Sequence, residues 1–222
     1  MSAYRNIIFV ILCCLARAWG ATVVQPAPQL VVSVCNDAGV PDRVLQRAER
    51  EAENAFHRAG VVLVWAPCGG AENHRATAYL DVAHMTKVFS IRIVTHSLNL
   101  PGEDFGIAFV GSDGTGSQAD VFYSSIVALQ QSSTVGTAEL LGYVMSHELG
   151  HLVLGGNSHS RLGIMQPRWA GEQLRRISMG LFDFDLRQAE LLRARLLGAY
   201  ARERRELRAA TPNFISVSPP PL

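Results

Sequence analysis

Residues 147 to 151 read His-Glu-Leu-Gly-His. Two imidazoles four residues apart project from one face of a helix about a turn from each other, close enough to share one metal ion. Imidazole nitrogen is a good ligand for zinc, and a carboxylate between two such ligands is placed to take a proton from water and hand it on. A helix carrying two ordinary surface histidines is the plainer reading of five residues. The residues just beyond the pair bear on the choice. Gly155-Gly156-Asn157 is a composition that stops a helix and tolerates left-handed backbone, and His159 comes two residues after Asn157. A catalytic zinc site needs a third protein ligand and an open position, and two histidines on one helix cannot supply the third direction unless the chain turns back.

Taken together, residues 147 to 165, HELGHLVLGGNSHSRLGIM, resemble the zinc site of the metzincin peptidases, in which HExxH is followed by a glycine turn, a third histidine and a methionine in a tight turn beneath the metal. The resemblance implies zinc held by His147, His151 and His159, Glu148 as general base and acid, Gly155 or Gly156 at the turn, and Met165 of Gly163-Ile164-Met165 as the turn methionine. It implies an α+β, zincin-like fold: a mixed twisted sheet with a crossover helix and an active-site helix, and a small C-terminal part with a long helix. A substrate strand would lie antiparallel to a sheet edge, with Gly106, Ile107, Ala108, Phe109 and Val110 as the edge. The chain departs from the family in two ways: the interval from His151 to His159 is two residues longer than usual, and the stretch from His159 to Met165 is short. No tyrosine follows closely on Met165, so the extra ligand some members use is not expected. The pattern looks like a compact bacterial variant.

Two other readings remain open. A thermolysin-like zincin would take its third ligand from a later helix, and Glu172 is in position to be that residue. An exported module that binds zinc only to hold its fold would need a fourth protein ligand, for which Asn157 and Ser158 are poor candidates. His57, His74, His84 and His96 read as surface or hydrogen-bonded histidines, and Trp65 and Trp169 as packing residues, with Trp169 near enough to the methionine turn to line a pocket.

The elements that must position these residues can be read from periodicity. Residues 29 to 35 are β-branched and short, a buried strand bounded by Asn36-Asp37 and Gly39. Pro41-Asp42 opens an amphipathic helix carrying Val44, Leu45, Ala48, Ala52, Ala55 and Phe56, which ends at Gly60. Residues 61 to 66 form a second strand, so strand, helix and strand make a crossover unit with parallel strands. Further strands are expected around 78 to 82, 89 to 95, 106 to 111 and 120 to 123, with a mobile Gly/Ser-rich loop at 112 to 118. Helices are expected from 137 to 154 and from 183 to 207.

The 222 residues, 48% hydrophobic and 18% charged, suit one globular domain. Arg5, the apolar run Ile7 to Leu15 and the small residues Ala16, Ala18 and Gly20 have the layout of a secretory signal peptide at 1 to 20. The run is too short for a retained membrane span, and Cys13 or Cys14 would make a poor lipoprotein site. The rest is expected as one catalytic domain, 21 to 210, divided at 156/157, with a disordered tail from 211. Removing the signal leaves 18 basic and 19 acidic residues, so nothing calls for nucleic acid; the ten arginines between Arg168 and Arg208 read as a solvated helix face. Cys35 and Cys68 remain as an even pair, expected to form a disulfide worth about 3 to 4 kcal/mol. The whole reading is of a secreted or periplasmic zinc endopeptidase acting on a peptide or protein substrate.

Overall fold

The computed structural model describes residues 27–68, 88–96 and 105–210, without the side chains of 203, 204 and 206–210. The signal segment, the strand expected near 78 to 82, His74, His84 and the tail from 211 lie outside the described residues.

Strand β1 (Gln29–Asn36) ends where the Asn36 side chain donates to the Val40 carbonyl and accepts from the Val40 N–H, both at 2.8 Å. That local bracket turns the chain into helix α1 (Asp42–Arg58), which starts after Pro41 with an acidic residue in its first turn, both favourable at a helix N-terminus. Its buried positions are Ala48, Ala52, Ala55 and Phe56, the face expected from their spacing. Strand β2 (Val62–Pro67) pairs parallel with β1, Gln29 opposite Val62, which confirms the crossover unit. Cys35 and Cys68, at the ends of these two strands, are joined as a disulfide with their Cα atoms 4.7 Å apart.

Strand β3 (Phe89–Val94) lies parallel to β1 on its other side, β5 (Gly116–Phe122) is parallel to β3, and β4 (Gly106–Val110) closes the sheet as an antiparallel edge. The order is β2-β1-β3-β5-β4, a five-stranded and mostly parallel sheet. Strand β5 begins inside the stretch expected to be a mobile loop. Its Gly and Ser residues suggested a loop, but Gly116 pairs with Val110 across a register shift, and the turn is confined to the residues bridged by the 2.8 Å bond from Gly111 N–H to the Thr115 carbonyl.

Helix α2 (Tyr123–Gln131) and helix α4 (Gly171–Ser178) were not expected; α3 (Thr137–Leu154) has the bounds expected, and α5 (Leu186–Ala210) starts three residues later than expected. The later start of α5 has a local cause. Asp185 accepts from Gln188 N–H at 2.8 Å while Gln188 Oε1 accepts from Asp185 N–H at 3.1 Å, a reciprocal cap that fixes the first turn. Among the described residues there are thus five helices, and none of them is long and apolar enough to cross a membrane.

Alternate residues of the strands, Leu30, Val32, Phe89, Ile91, Ile93, Ala119 and Val121, share one core with the buried faces of α1, α3 and α5. Fully burying each large aliphatic side chain contributes about 1.5–3 kcal/mol. Helix α3 is the axis of this core. Fifteen of its 18 residues are buried, so its histidines do not belong to a solvated surface stripe. Arg193 and Arg195 on α5 donate to the carbonyls of Ala59 (2.6 Å) and Val153 (3.2 Å), satisfying the ends of α1 and α3 where free carbonyls and the negative helix pole favour a cation.

Candidate metal centre

His147 and His151 leave α3 one turn apart, and their Nε2 atoms stand 3.0 Å from each other. At Gly155 the helix stops with φ +93° and ψ 167°, a backbone region open essentially to glycine alone, while its N–H still bonds the His151 carbonyl at 2.8 Å. Of the two glycines proposed for the turn, Gly155 is therefore the one that makes it. The chain doubles back and brings His159 Nε2 to 3.1 Å from His151 Nε2. His147, His151 and His159 form the one group of three or more potential metal-ligating side chains among the described residues.

The protonation of the rings can be read from their other nitrogens. His147 Nδ1 lies 2.8 Å from the carbonyl of Ile164, which can only accept, so Nδ1 carries the proton and Nε2 offers a lone pair. Burial pushes the His147 imidazole down to about 4, with the bond to Ile164 working in the opposite direction. Burial also lowers His151, helped by the neighbouring His159. His147 is thus neutral at pH 7, and burial favours the same state for His151. Lone pairs aimed at one point repel unless a cation sits between them. Ligands of tetrahedral zinc at roughly 2.0–2.1 Å stand about 3.3 Å apart, which matches the observed separations to within a few tenths of an ångström.

The floor of the site is the segment after His159. Gly163 has φ +71° and opens the turn that carries Ile164 and Met165, both fully buried. Ile164 N–H bonds the Asp183 carbonyl at 2.9 Å and Gln166 N–H bonds Gly163 at 3.1 Å, which ties the turn to the strand-like entry of α5. Trp169 stands edge-on to His147, ring centres 5.8 Å apart, and edge-on to Phe182 at 5.4 Å.

Glu148 is 5% exposed and points from α3 toward β4. A Cβ on Gly106 would come within 2.8 Å of both Glu148 Cγ and Oε1, so the absence of a side chain at the head of β4 is what makes room for the carboxylate. Gly106 to Val110 is an edge strand of the sheet among the described residues, with Phe109 half exposed. Glu172 is elsewhere: it is solvent-exposed at the start of α4 and bound to Arg175 by two bonds of 2.8 Å, which hold its carboxyl below the ordinary value. His57 and His96 are also outside the histidine group.

Two contacts at the site were beyond sequence reading. One is the carbonyl of Ile164, since any residue type has one. The other is Ser158, whose hydroxyl lies 2.9 Å from His151 Nδ1.

No family model matches the chain, and no curated protein matches it. Among solved structures, it is similar to a zinc-dependent peptidase from Methanocorpusculum labreanum, at 14% identity and a TM-score of 0.42, over 74% of this chain and 99% of that one. A likeness that distant assigns neither a fold family nor an activity.

Proposed function

We propose that the chain is an exported zinc-dependent endopeptidase of the metzincin type, hydrolysing peptide bonds in a peptide or protein substrate. The observation that carries the reading is the convergence of His147, His151 and His159 on one point, two of the pairs 3.0 and 3.1 Å apart at Nε2, with Glu148 buried alongside. The donor set is three imidazoles, a set that holds zinc with one position left open; a structural site closes with four protein ligands. When bound, zinc supplies a Lewis acid that makes water acidic near neutral pH and polarises a carbonyl.

The chain's own residues supply the rest. Glu148 accepts the proton of the attacking water and returns it to the departing amine, a role that suits a carboxylate screened from bulk solvent. The edge strand β4 offers main-chain donors and acceptors to an extended peptide, which would lie antiparallel to Gly106–Val110. Its position beside Glu148 supports a peptide over a compact small molecule. The Cys35–Cys68 disulfide supports an oxidising compartment, secreted or periplasmic.

The test is cleavage of a mixed peptide library by the zinc-loaded protein, read by mass spectrometry, beside Glu148→Gln. The substitution keeps shape and removes the base. It is expected to lower the rate on the order of 10²–10⁴-fold with zinc content unchanged. Cleavage at the wild-type rate by Glu148→Gln would remove Glu148 from the mechanism.

A further inference from the structure

We infer that Ser158 is a positioning residue for the metal centre: its hydroxyl, hydrogen-bonded to Nδ1, holds the ring of His151 in the orientation that turns Nε2 toward His147 and His159. The inference rests on the zinc reading above.

Each ligand ring must present an unprotonated Nε2, so its Nδ1 must carry the proton and find an acceptor. Such partners fix ring orientation and raise ligand basicity. His147 meets the requirement through the main chain, at 2.8 Å from the Ile164 carbonyl. His151 has two candidates. The Gly155 carbonyl is 3.5 Å from its Nδ1, at the limit of a hydrogen bond, and the Ser158 hydroxyl is 2.9 Å away, at an ordinary length. The hydroxyl therefore makes the closer contact, and with Nε2 committed to a metal it accepts from Nδ1–H and anchors the ring.

The geometry follows from the turn. With φ +93° at Gly155 the chain reverses, and Asn157 faces solvent while Ser158 is half buried against the ring of His151. His159 then enters from the far side. One segment of four residues, Gly156 to His159, thus delivers both an anchor for the second ligand and the third ligand itself. A main-chain anchor survives most substitutions, whereas this one depends on the side chain at a single position.

The experiment is zinc affinity by chelator competition on the full protein, for wild type, Ser158→Ala, Ser158→Thr and Asn157→Ala. Far-UV circular dichroism accompanies it, to show that each variant folds. Ser158→Ala is expected to lose on the order of 10- to 100-fold in zinc affinity. Ser158→Thr, which keeps the hydroxyl, is expected to stay close to wild type, and Asn157→Ala to bind as wild type does. Equal zinc affinity in Ser158→Ala would overturn the inference while leaving the zinc site intact. Equal weakening in Asn157→Ala, or no rescue by threonine, would also overturn it, because the loop and not the hydroxyl would then matter. Absence of zinc binding in wild type would instead remove the reading on which it rests.

Discussion

The sulfur of Met165 lies against the Cα of Gly150, in the space that a Cβ on Gly150 would need. The turn methionine is therefore seated on α3 between Glu148 and His151. Packing there is tight, since the same Cβ would also come within 3.2 Å of Met165 Cε and 3.3 Å of Phe184. Gly150→Ala should overpack the contact and cost about 1–3 kcal/mol. It should also weaken zinc binding, because the turn it displaces carries the Ile164 carbonyl that orients His147. Gly198→Ala is the control: it sits in α5 with nothing within 4 Å of the added Cβ, and is expected to stabilise by roughly 0.5–1 kcal/mol. Thermal melts and chelator competition on both variants check the pair.

Gly106→Ala separates chemistry from metal binding. Its added Cβ would meet Glu148 and the Asp120 carbonyl at 2.8 Å, so the carboxylate must move while the histidines need not. The expected result is a fall in kcat with zinc content near wild type. Loss of zinc in this variant would mean that β4 supports the ligands as well as the base.

The metal-free protein should lose stability on acidification in a defined window. The folded His147 titrates at about 4, below its ordinary value of 6.5. Between those two pH values the unfolded chain binds the extra proton and the folded chain does not, so stability rises with pH across the window. It is fully present above about 6.5 and is lost progressively as pH falls through about 4. His151, also lowered, adds in the same direction. Urea denaturation of the chelated protein at a series of pH values reads the slope. A flat profile from pH 7 to 4 would contradict the neutral state of His147 in the folded protein.

Much of this molecule could be read before any coordinates. The β-branched run of β1 and the helical spacing of α1 report burial directly, and β1, β3, α1 and α3 appear within one or two residues of the expected bounds. The three histidines were identified by residue type and spacing, since the glycine turn after α3 is itself written in the sequence. What could not be read depends on neighbours far along the chain. Gly116 is strand only because Val110 lies opposite it. Helix α4 begins at a glycine and buries only Ile177, too short a face for periodicity to reveal. The exposure of Glu172 and its bond to Arg175, which set it apart from the histidine group, depend on where α4 packs. Ser158 lay in full view within the motif, but its role exists only once the turn is folded.

Zinc per chain should be measured on purified wild-type protein beside His159→Ala and Glu172→Ala. One zinc per chain in wild type and in Glu172→Ala, with loss or weakening in His159→Ala, is the expected result. Absence of zinc in wild type after incubation with the metal, or its loss in Glu172→Ala while His159→Ala keeps it, would contradict the ligand set on which the proposed activity depends.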